Sequence, residues 1–246
     1  MSFEAMFRRW FIKPIESIDG LVFVSHFSHN QHLKAFRNLQ SSKTLVMHNA
    51  IAPLPQSAIS TTMGNYYLYF GRLSHEKGLL TLINAFRELP NLRLVIVGEG
   101  PQEEELKAAA TTPNIEFVGY QSGDILRQTI RDSKAIIVPS ECFENNPMTI
   151  IEASAAGIPA IGATIGGIPE IIREGKTGYL FTSQSSQELK EAVLKMEQLD
   201  KEQYDAMSQQ CKEMAQELFS EENMYHNIIK FYNQIISDYE SKAARN

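Results

Sequence analysis

The sequence of 246 residues has little cysteine, no long apolar run and no excess of positive charge. Cys142 and Cys211 lie far apart, which is typical of free thiols in a reducing compartment rather than of a disulfide scaffold. No run approaches the roughly 18 apolar residues that a membrane span needs, and the start MSFEAMFRRWFIK lacks the apolar region of a secretory signal. We therefore expect a cytoplasmic protein.

The charge pattern argues against a nucleic-acid partner. The formal net charge is -6 at pH 7, without the clustered basic face of a nucleic-acid-binding protein. The sequence also has no Asp-x-Asp, His-Glu-x-x-His, Walker A or Gly-x-Ser-x-Gly motif, which leaves a metal-chelated diphosphate and a serine nucleophile with little support. We predict neither a metal nor a cofactor. His26, His29 and His32 recur every three residues without a cysteine or carboxylate to complete a metal site, and we interpret them as a polar helix start.

The sequence does contain a regular alternation of short apolar runs and amphipathic segments. The runs predict strands at 21–25, 44–49, 66–71, 92–98, 115–119, 135–140, 159–163 and 178–181. The segments predict helices at 79–88, 102–110, 122–132, 147–156, 186–198, 202–218 and 222–240. Such alternation indicates βαβ units in a doubly wound parallel α/β sheet.

The Pro-, Ser- and Thr-rich segment 51–65 is typical of a linker. It separates a large domain beginning at Tyr66 from residues 1–50, which hold too few elements to form a sheet with both faces covered. Residues 1–50 are therefore predicted to be the remnant of a second domain.

In an open parallel sheet, ligands bind at the carboxyl ends of the strands. Arg72 and Lys77 flank the turn after the strand at 66–71, where a guanidinium and an ammonium could neutralise a diphosphate. A solvated charged loop would explain the same spacing. The GEGP turn at 98–101 lacks the third glycine of a dinucleotide motif and is a weak signal.

The stretch PSECFENNPMTIIEA, residues 139–153, combines a helix start with two carboxylates. Pro147 favours a helix from 147, whose positive end suits an anion; Glu144 would precede it and Glu152 would lie inside it. Eight helical residues rise about 12 Å, more than the roughly 5 to 9.5 Å between paired glycosidase carboxyls. Two contacts along an extended ligand therefore fit better than an acid/base pair, although a helix cap and a solvated carboxylate remain alternatives.

Five segments together resemble the carboxyl-terminal, donor-binding domain of GT-B glycosyltransferases of family 4. They occur in the family's order: YFGRLSHEKGLLTLINAF, LVIVGEGP, IEFVGY, IIVPSECFENNPMTIIEASAAGIPAIG and GGIPEIIREGKTGYLF. The resemblance implies two Rossmann-like domains, with the donor domain at 66–220 and the helix at 221–246 crossing back to the remnant. It also implies retaining, metal-independent transfer of a sugar from a nucleoside diphosphate to a glycan or lipid-linked acceptor, as in surface polysaccharide synthesis.

The resemblance also implies roles for individual residues. Arg72 and Lys77 match the family's phosphate-binding pair, Glu152 the glutamate that holds the ribose, and Glu144 the one that contacts the transferred sugar. Glu144, Arg72 and Lys77 are thus the implied catalytic residues. The implied donor-binding residues are Gly71, Arg72, Lys77, Gly98, Gly119, Tyr120, Glu144, Asn145, Asn146, Pro147, Met148 and Glu152.

The amino-terminal part matches less of the family. Residues 17–49 resemble only the last strand-helix-strand of its amino-terminal domain, so we expect a truncated chain. The alternative function is an inactive or split nucleotide-sugar-binding module that needs a partner chain. A helix predicted at 3–13 carries an apolar stripe beside basic residues. Core packing explains this stripe, and a membrane surface or a partner chain is the alternative.

Overall fold

The computed structural model describes residues 18–36, 43–60 and 62–243. The helix predicted at 3–13 lies outside these residues. Eight strands and eight α-helices are found within them. The strands are β1 (Gly20–Phe23), β2 (Lys43–Val46), β3 (Tyr66–Phe70), β4 (Arg93–Val97), β5 (Ile115–Gly119), β6 (Ala135–Val138), β7 (Ala160–Ala163) and β8 (Gly178–Phe181). The helices are α1 (His26–Ala35), α2 (Leu79–Arg87), α3 (Glu103–Ala109), α4 (Gly123–Arg131), α5 (Met148–Ala155), α6 (Ser186–Glu197), α7 (Lys201–Leu218) and α8 (Glu221–Ala243).

Six strands form one parallel sheet in the order β5-β4-β3-β6-β7-β8. The chain runs outward from β3 through β4 to β5, then returns beside β3 and runs outward the other way from β6 to β8. The strand order therefore reverses between β3 and β6, which is the point where open α/β sheets bind ligands. The predicted doubly wound parallel α/β sheet is confirmed.

The inner strands β3, β6 and β7 consist of apolar residues because both faces of the sheet are covered there. Along β3, Tyr67 and Tyr69 point into one core, which includes side chains of α2 and α6. Leu68 and Phe70 point into a second core, which includes side chains of α5 and α7. Successive side chains of a strand face opposite sides, so the five residues of β3 contribute to both cores.

β1 and β2 form a separate two-stranded parallel sheet. α8 packs against it, since a Cβ at Gly20 would collide with the side chains of Phe231 and Ile235. Lys43 at the start of β2 donates a hydrogen bond of 3.2 Å to the carbonyl of Gln234. We call residues 18–36 and 43–49 together with α8 the two-stranded unit, which contains β1, α1, β2 and α8; the boundaries of the predicted domains stay a prediction.

The segment predicted as a linker contains more structure than its composition suggests. A 3-10 turn forms at Gln56–Ala58, and Ile51 pairs with Ser220 in an isolated parallel bridge. Ala58 is buried, and Leu54 packs against the second core. Apolar residues scattered among prolines give no periodic signal, although each can still be buried by its neighbours in space.

Other predictions are confirmed with small shifts in boundaries. α5 begins at Met148, so Pro147 is its N-cap rather than its first helical residue. α1 begins at His26 with the Ser25 hydroxyl capping Ser28 N–H at 3.0 Å, as expected of a polar helix start. Cys142 and Cys211 are free thiols. In the described parts of the chain, no helix is both long and apolar enough to cross a membrane.

Candidate functional site

The turns after β3, β4 and β5 border a cleft of about 570 Å³. Gly71 N–H donates to the Val97 carbonyl at 3.0 Å, and Gly98 N–H donates to the Gly119 carbonyl at 2.9 Å. Gly98 has φ +137°, and a Cβ there would collide with the Gly71 carbonyl. These turns therefore need glycine, and they present a backbone that a flat ligand can approach closely. Gly71, Arg72, Gly98, Glu99, Tyr120 and Leu126 line the cleft.

Arg72 lies at the rim of this cleft on a fixed turn. The buried Tyr69 donates its hydroxyl hydrogen to the Arg72 carbonyl at 2.7 Å, which holds the backbone while the guanidinium stays exposed. Among the described residues, no carboxylate forms a salt bridge with Arg72. Its charge is therefore available to an anion in the cleft.

Lys77 and Glu144 meet although 67 positions separate them. Lys77 Nζ lies 2.6 Å from Glu144 Oε1, and the Ser140 hydroxyl donates to the same oxygen at 2.9 Å. The Glu144 side chain is 18% exposed, so its charge is partly withdrawn from water. A salt bridge of this kind places one donor and one acceptor at the ligand edge of the sheet, next to the turn that carries Arg72.

The loop that carries Glu144 is pressed against the turn after β7. Gly167 N–H donates to the Glu144 carbonyl at 2.6 Å. A Cβ at Gly166 would collide with the Glu144 backbone, and one at Gly167 would collide with the Asn145 carbonyl. The two glycines thus allow two backbones to come into contact. We call residues 142–147 the donor loop.

Cys142 is the partly exposed thiol of this loop. Burial, followed by the nearby Glu144 carboxylate, raises the pKa of the Cys142 thiol. The thiol is therefore held in its protonated form at neutral pH, which is unfavourable for a nucleophile.

Glu152 has surroundings different from those of Glu144. It lines a second cavity of about 320 Å³, which shares Gly123 and Leu126 with the larger cleft. Burial raises the pKa of the Glu152 carboxyl, and the nearby Arg127 opposes this only in part. The two glutamates therefore lie in different surroundings, Glu152 beside a cavity and Glu144 in a salt bridge with Lys77; two contacts along an extended ligand stay a prediction.

The remaining predicted residues lie between these two carboxylates. Asn146 is buried, and its side chain points away from the cleft toward residues 48–49. Pro147 caps α5, and Met148 begins the helix with a 39% exposed side chain. The structure thus brings the predicted residues to one sheet edge; their roles stay predictions.

Sequence reasoning missed several residues of the site. Ile51, Pro53 and Leu54 line the cavity beside Glu152, and Ser140 fixes Glu144. An apolar residue in a Pro-rich segment and a lone serine carry no sequence signal for these contacts. Among the described residues, no group of three or more His, Cys, Asp or Glu side chains is arranged to hold a metal ion.

Comparison with known proteins gives the chain a family. The pattern described as "Glycosyl transferases group 1" matches residues 54–216. Sulfoquinovosyl transferase SQD2 of Arabidopsis thaliana is 37% identical over 117 residues, covering 46% of this chain and 23% of that protein. Lipopolysaccharide 1,2-N-acetylglucosaminetransferase of Salmonella typhimurium is 35% identical over 127 residues, covering 46% of this chain and 33% of that protein.

A solved structure gives the fold. Anabaena Alr3699/HepE in complex with UDP and glucose matches with a TM-score of 0.75 at 21% sequence identity, covering 88% of this chain and 63% of that one. The parallel sheet flanked by helices thus matches the Rossmann-like domains of GT-B glycosyltransferases. This chain spans less than two thirds of the length of each of these three proteins.

Proposed function

Because this chain belongs to the glycosyl transferases group 1 family, we propose that it binds a nucleoside diphosphate sugar and transfers the sugar to a glycan or lipid-linked acceptor. We further propose that it is a family 4 enzyme that retains the anomeric configuration. The single observation that carries the proposal is Arg72 at the rim of the cleft, where it has no salt-bridge partner among the described residues. Lys77, which pairs with Glu144 at 2.6 Å, follows five residues later in the chain.

The chemistry follows from where charge develops. As the bond between the sugar and the diphosphate breaks, negative charge grows on the leaving diphosphate and positive charge on the anomeric carbon. Arg72 and Lys77 would stabilise the diphosphate, together with the N–H groups at the start of α5. These groups supply the positive charge that a metal ion supplies in other transferases, so we propose a metal-independent reaction.

The two glutamates would hold different parts of the donor. Glu152 lies in a cavity that joins the cleft beneath the glycine turns, which suits a ribose whose base occupies the cleft. Glu144 would exchange part of its contact with Lys77 for a hydroxyl of the transferred sugar. The backbone of residues 145–148 would line the space between them.

The relatives suggest the kind of product. One is named a lipopolysaccharide transferase and another a sulfoquinovosyl transferase, and a structural neighbour holds UDP and glucose. We therefore propose a role in surface polysaccharide or glycolipid assembly in the cytoplasm.

A second candidate is a binding module that takes up nucleotide sugar but needs a partner chain for transfer. The two-stranded unit favours it: within the described residues this unit consists of two strands and two helices, and Val22 of β1 is 41% exposed. A partner that covered this unit could supply the acceptor site.

A thermal-shift panel tests binding. UDP, GDP and ADP, each with its glucose conjugate, are added to the purified chain with and without EDTA. We expect one pair to raise the melting temperature, because ligand at about 100 times its Kd stabilises by about 2.7 kcal/mol, and EDTA to leave the rise unchanged. No shift with any of the six would overturn the proposal, and a shift abolished by EDTA would overturn its metal-independent part.

Two variants test the assigned roles. Glu152→Ala should weaken binding of the nucleoside diphosphate and of its sugar conjugate alike. Glu144→Ala should mainly weaken binding of the conjugate, since it removes a contact to the sugar. Isothermal titration calorimetry of both ligands measures the difference, and equal losses for both ligands in both variants would contradict separate roles.

A further inference from the structure

Asn146 lies in the donor loop two residues after Glu144, yet its side chain does not face the cleft. The side chain is 6% exposed and is surrounded by the segment that follows β2. Asn49 N–H donates to Asn146 Oδ1 at 2.7 Å, and Asn49 Nδ2 donates to the Asn146 carbonyl at 3.2 Å. Asn49 thus donates two hydrogen bonds to a residue 97 positions away, one from its backbone and one from its side chain.

His48 contacts the other end of the Asn146 amide group. The Asn49 N–H needs the amide oxygen of Asn146, which leaves the amide nitrogen facing His48 Nδ1 at 3.0 Å. That nitrogen can donate only to an unprotonated Nδ1. Burial lowers the pKa of His48, which favours the neutral ring that this contact requires. The Val24 carbonyl also lies 3.2 Å from His48 Nδ1, so only the tautomer that leaves Nδ1 unprotonated, and makes no hydrogen bond to Val24, can accept from Asn146.

The two-stranded unit is itself fixed against the far side of the donor loop. The Glu170 carboxylate accepts from His26 N–H at 2.7 Å and from Phe27 N–H at 2.6 Å, at the start of α1. Glu170 lies in the 3-10 turn Ile168–Glu170, directly after Gly167. The rings of Phe27 and Phe143 lie 5.0 Å apart.

The donor loop therefore contacts the two-stranded unit on both sides of Glu144 in sequence. Phe143 packs against Phe27, and Asn146 accepts from Asn49 N–H and faces His48. We propose that Asn146 is a positioning residue, through which the segment after β2 sets the place of Glu144 and thereby the affinity for the sugar part of the donor. This inference rests on the proposed function.

The physical reason is that Glu144 lies in a loop, outside any strand or helix. Glu144 precedes α5, and its carboxylate is held by Lys77 and Ser140 rather than by regular structure. A displacement of about 1 Å is enough to weaken a positioned contact strongly. The two-stranded unit thus acts on the donor without touching it.

The test compares two ligands in four proteins and one control variant. The ligands are the nucleoside diphosphate of the panel that the wild-type chain binds most tightly and its glucose conjugate. The proteins are the wild type, Asn146→Ala, Asn49→Ala and the double variant, with Asn84→Ala as the control. Asn84 lies on α2, where its side chain makes a 3.5 Å contact with Arg87 on the surface.

We expect each single variant to weaken binding of the conjugate by about tenfold, the effect of one buried hydrogen bond, and to leave binding of the nucleoside diphosphate nearly unchanged. The double variant should lose less than the product of the two single losses, because both act through one loop. Asn146→Asp keeps the acceptor for Asn49 N–H and should recover part of the loss.

Three results would overturn the inference. These are unchanged conjugate binding in both single variants, equal losses for both ligands, and losses that multiply in the double variant. If the wild-type chain bound none of the six panel ligands, the proposed function itself would fail. An equal loss for both ligands with a lowered melting temperature would show that Asn146 serves only stability.

Discussion

β3 and β1 are both short parallel strands of apolar sequence, but their neighbours differ. Four of the five residues of β3 are buried, whereas in β1 only Phe23 is. β3 lies in the middle of six strands with helices on both faces, while β1 has one strand beside it and α8 packed against it. Burial thus depends on what covers a strand more than on its composition.

The two units also contribute differently to the site. The six-stranded sheet supplies the groups that we propose to touch a ligand, namely Arg72, Lys77, Glu144 and Glu152. The two-stranded unit supplies contacts to the loop that carries one of them. The six-stranded sheet, which is covered on both faces, can position charged side chains at its edge. The two-stranded unit can affect the site only through its contacts with the donor loop.

The largest expected effect is a difference between the two units in how much a substitution lowers the free energy of unfolding. Ile96→Ala on β4 removes a fully buried side chain and should lower the free energy of unfolding by about 2 to 5 kcal/mol. The matched Ile18→Ala changes a side chain that is 38% exposed and should cost less than about 0.5 kcal/mol. Urea unfolding measures both, and similar losses would remove the distinction.

The next effect concerns binding. Arg72→Ala and Lys77→Ala should each weaken binding of the nucleoside diphosphate by about 1.5 to 3 kcal/mol, the contribution of a charge-assisted contact. Lys34→Ala, which changes an exposed lysine of α1 in the two-stranded unit, should leave the affinity unchanged. Isothermal titration calorimetry measures the affinity of each variant. Unchanged affinity in both Arg72→Ala and Lys77→Ala would refute the assignment of these residues to the phosphates.

Gly20→Ala tests how α8 is held. The added methyl would collide with Phe231 and Ile235, so we expect a cost of about 1 to 3 kcal/mol from overpacking. Hydrogen exchange should become faster in α8 and β1 and stay unchanged in β3 and β4. Val22→Ala is the control, since it changes β1 at an exposed position. Faster exchange in the six-stranded sheet would show that the two units unfold together.

The smallest effect has opposite signs for stability and binding. Because the pKa of Glu152 is raised, the folded chain keeps its proton over a pH range in which the unfolded chain has already released it. The contribution of this carboxyl group to the free energy of unfolding is therefore complete below the unfolded pKa. It is lost as the pH rises through the folded pKa. Glu152→Gln should therefore raise the melting temperature slightly at pH 7 and leave it unchanged at pH 3, while weakening nucleotide binding.

The control for this variant is Glu222→Gln, which changes an exposed glutamate of α8. It should shift neither the melting temperature nor the affinity. If Glu152→Gln lowered the melting temperature at pH 7, the buried charged carboxylate would be shown not to destabilise the folded chain.

Most of the six-stranded sheet could be predicted because its signals are local. The strand Ile115–Gly119 and the strand Gly178–Phe181 were predicted with their observed bounds, since apolar runs end at glycine or at a polar turn. The segment 51–65 was predicted less well, because Ala58 and Leu54 are buried by residues distant in sequence. The Pro-rich segment has no hydrophobic periodicity from which this burial could be predicted.

The candidate site divides in the same way. The alternation of strands and helices placed Arg72, Lys77 and Glu144 in turns at one sheet edge and Glu152 in the helix that follows, because parallel strands end together. Only the tertiary structure decided that Lys77 pairs with Glu144, that Asn146 turns toward Asn49, and that Glu170 caps α1. Local sequence sets periodicity, whereas these contacts join residues 67 to 144 positions apart and arise only when the sheet edge and the two-stranded unit meet.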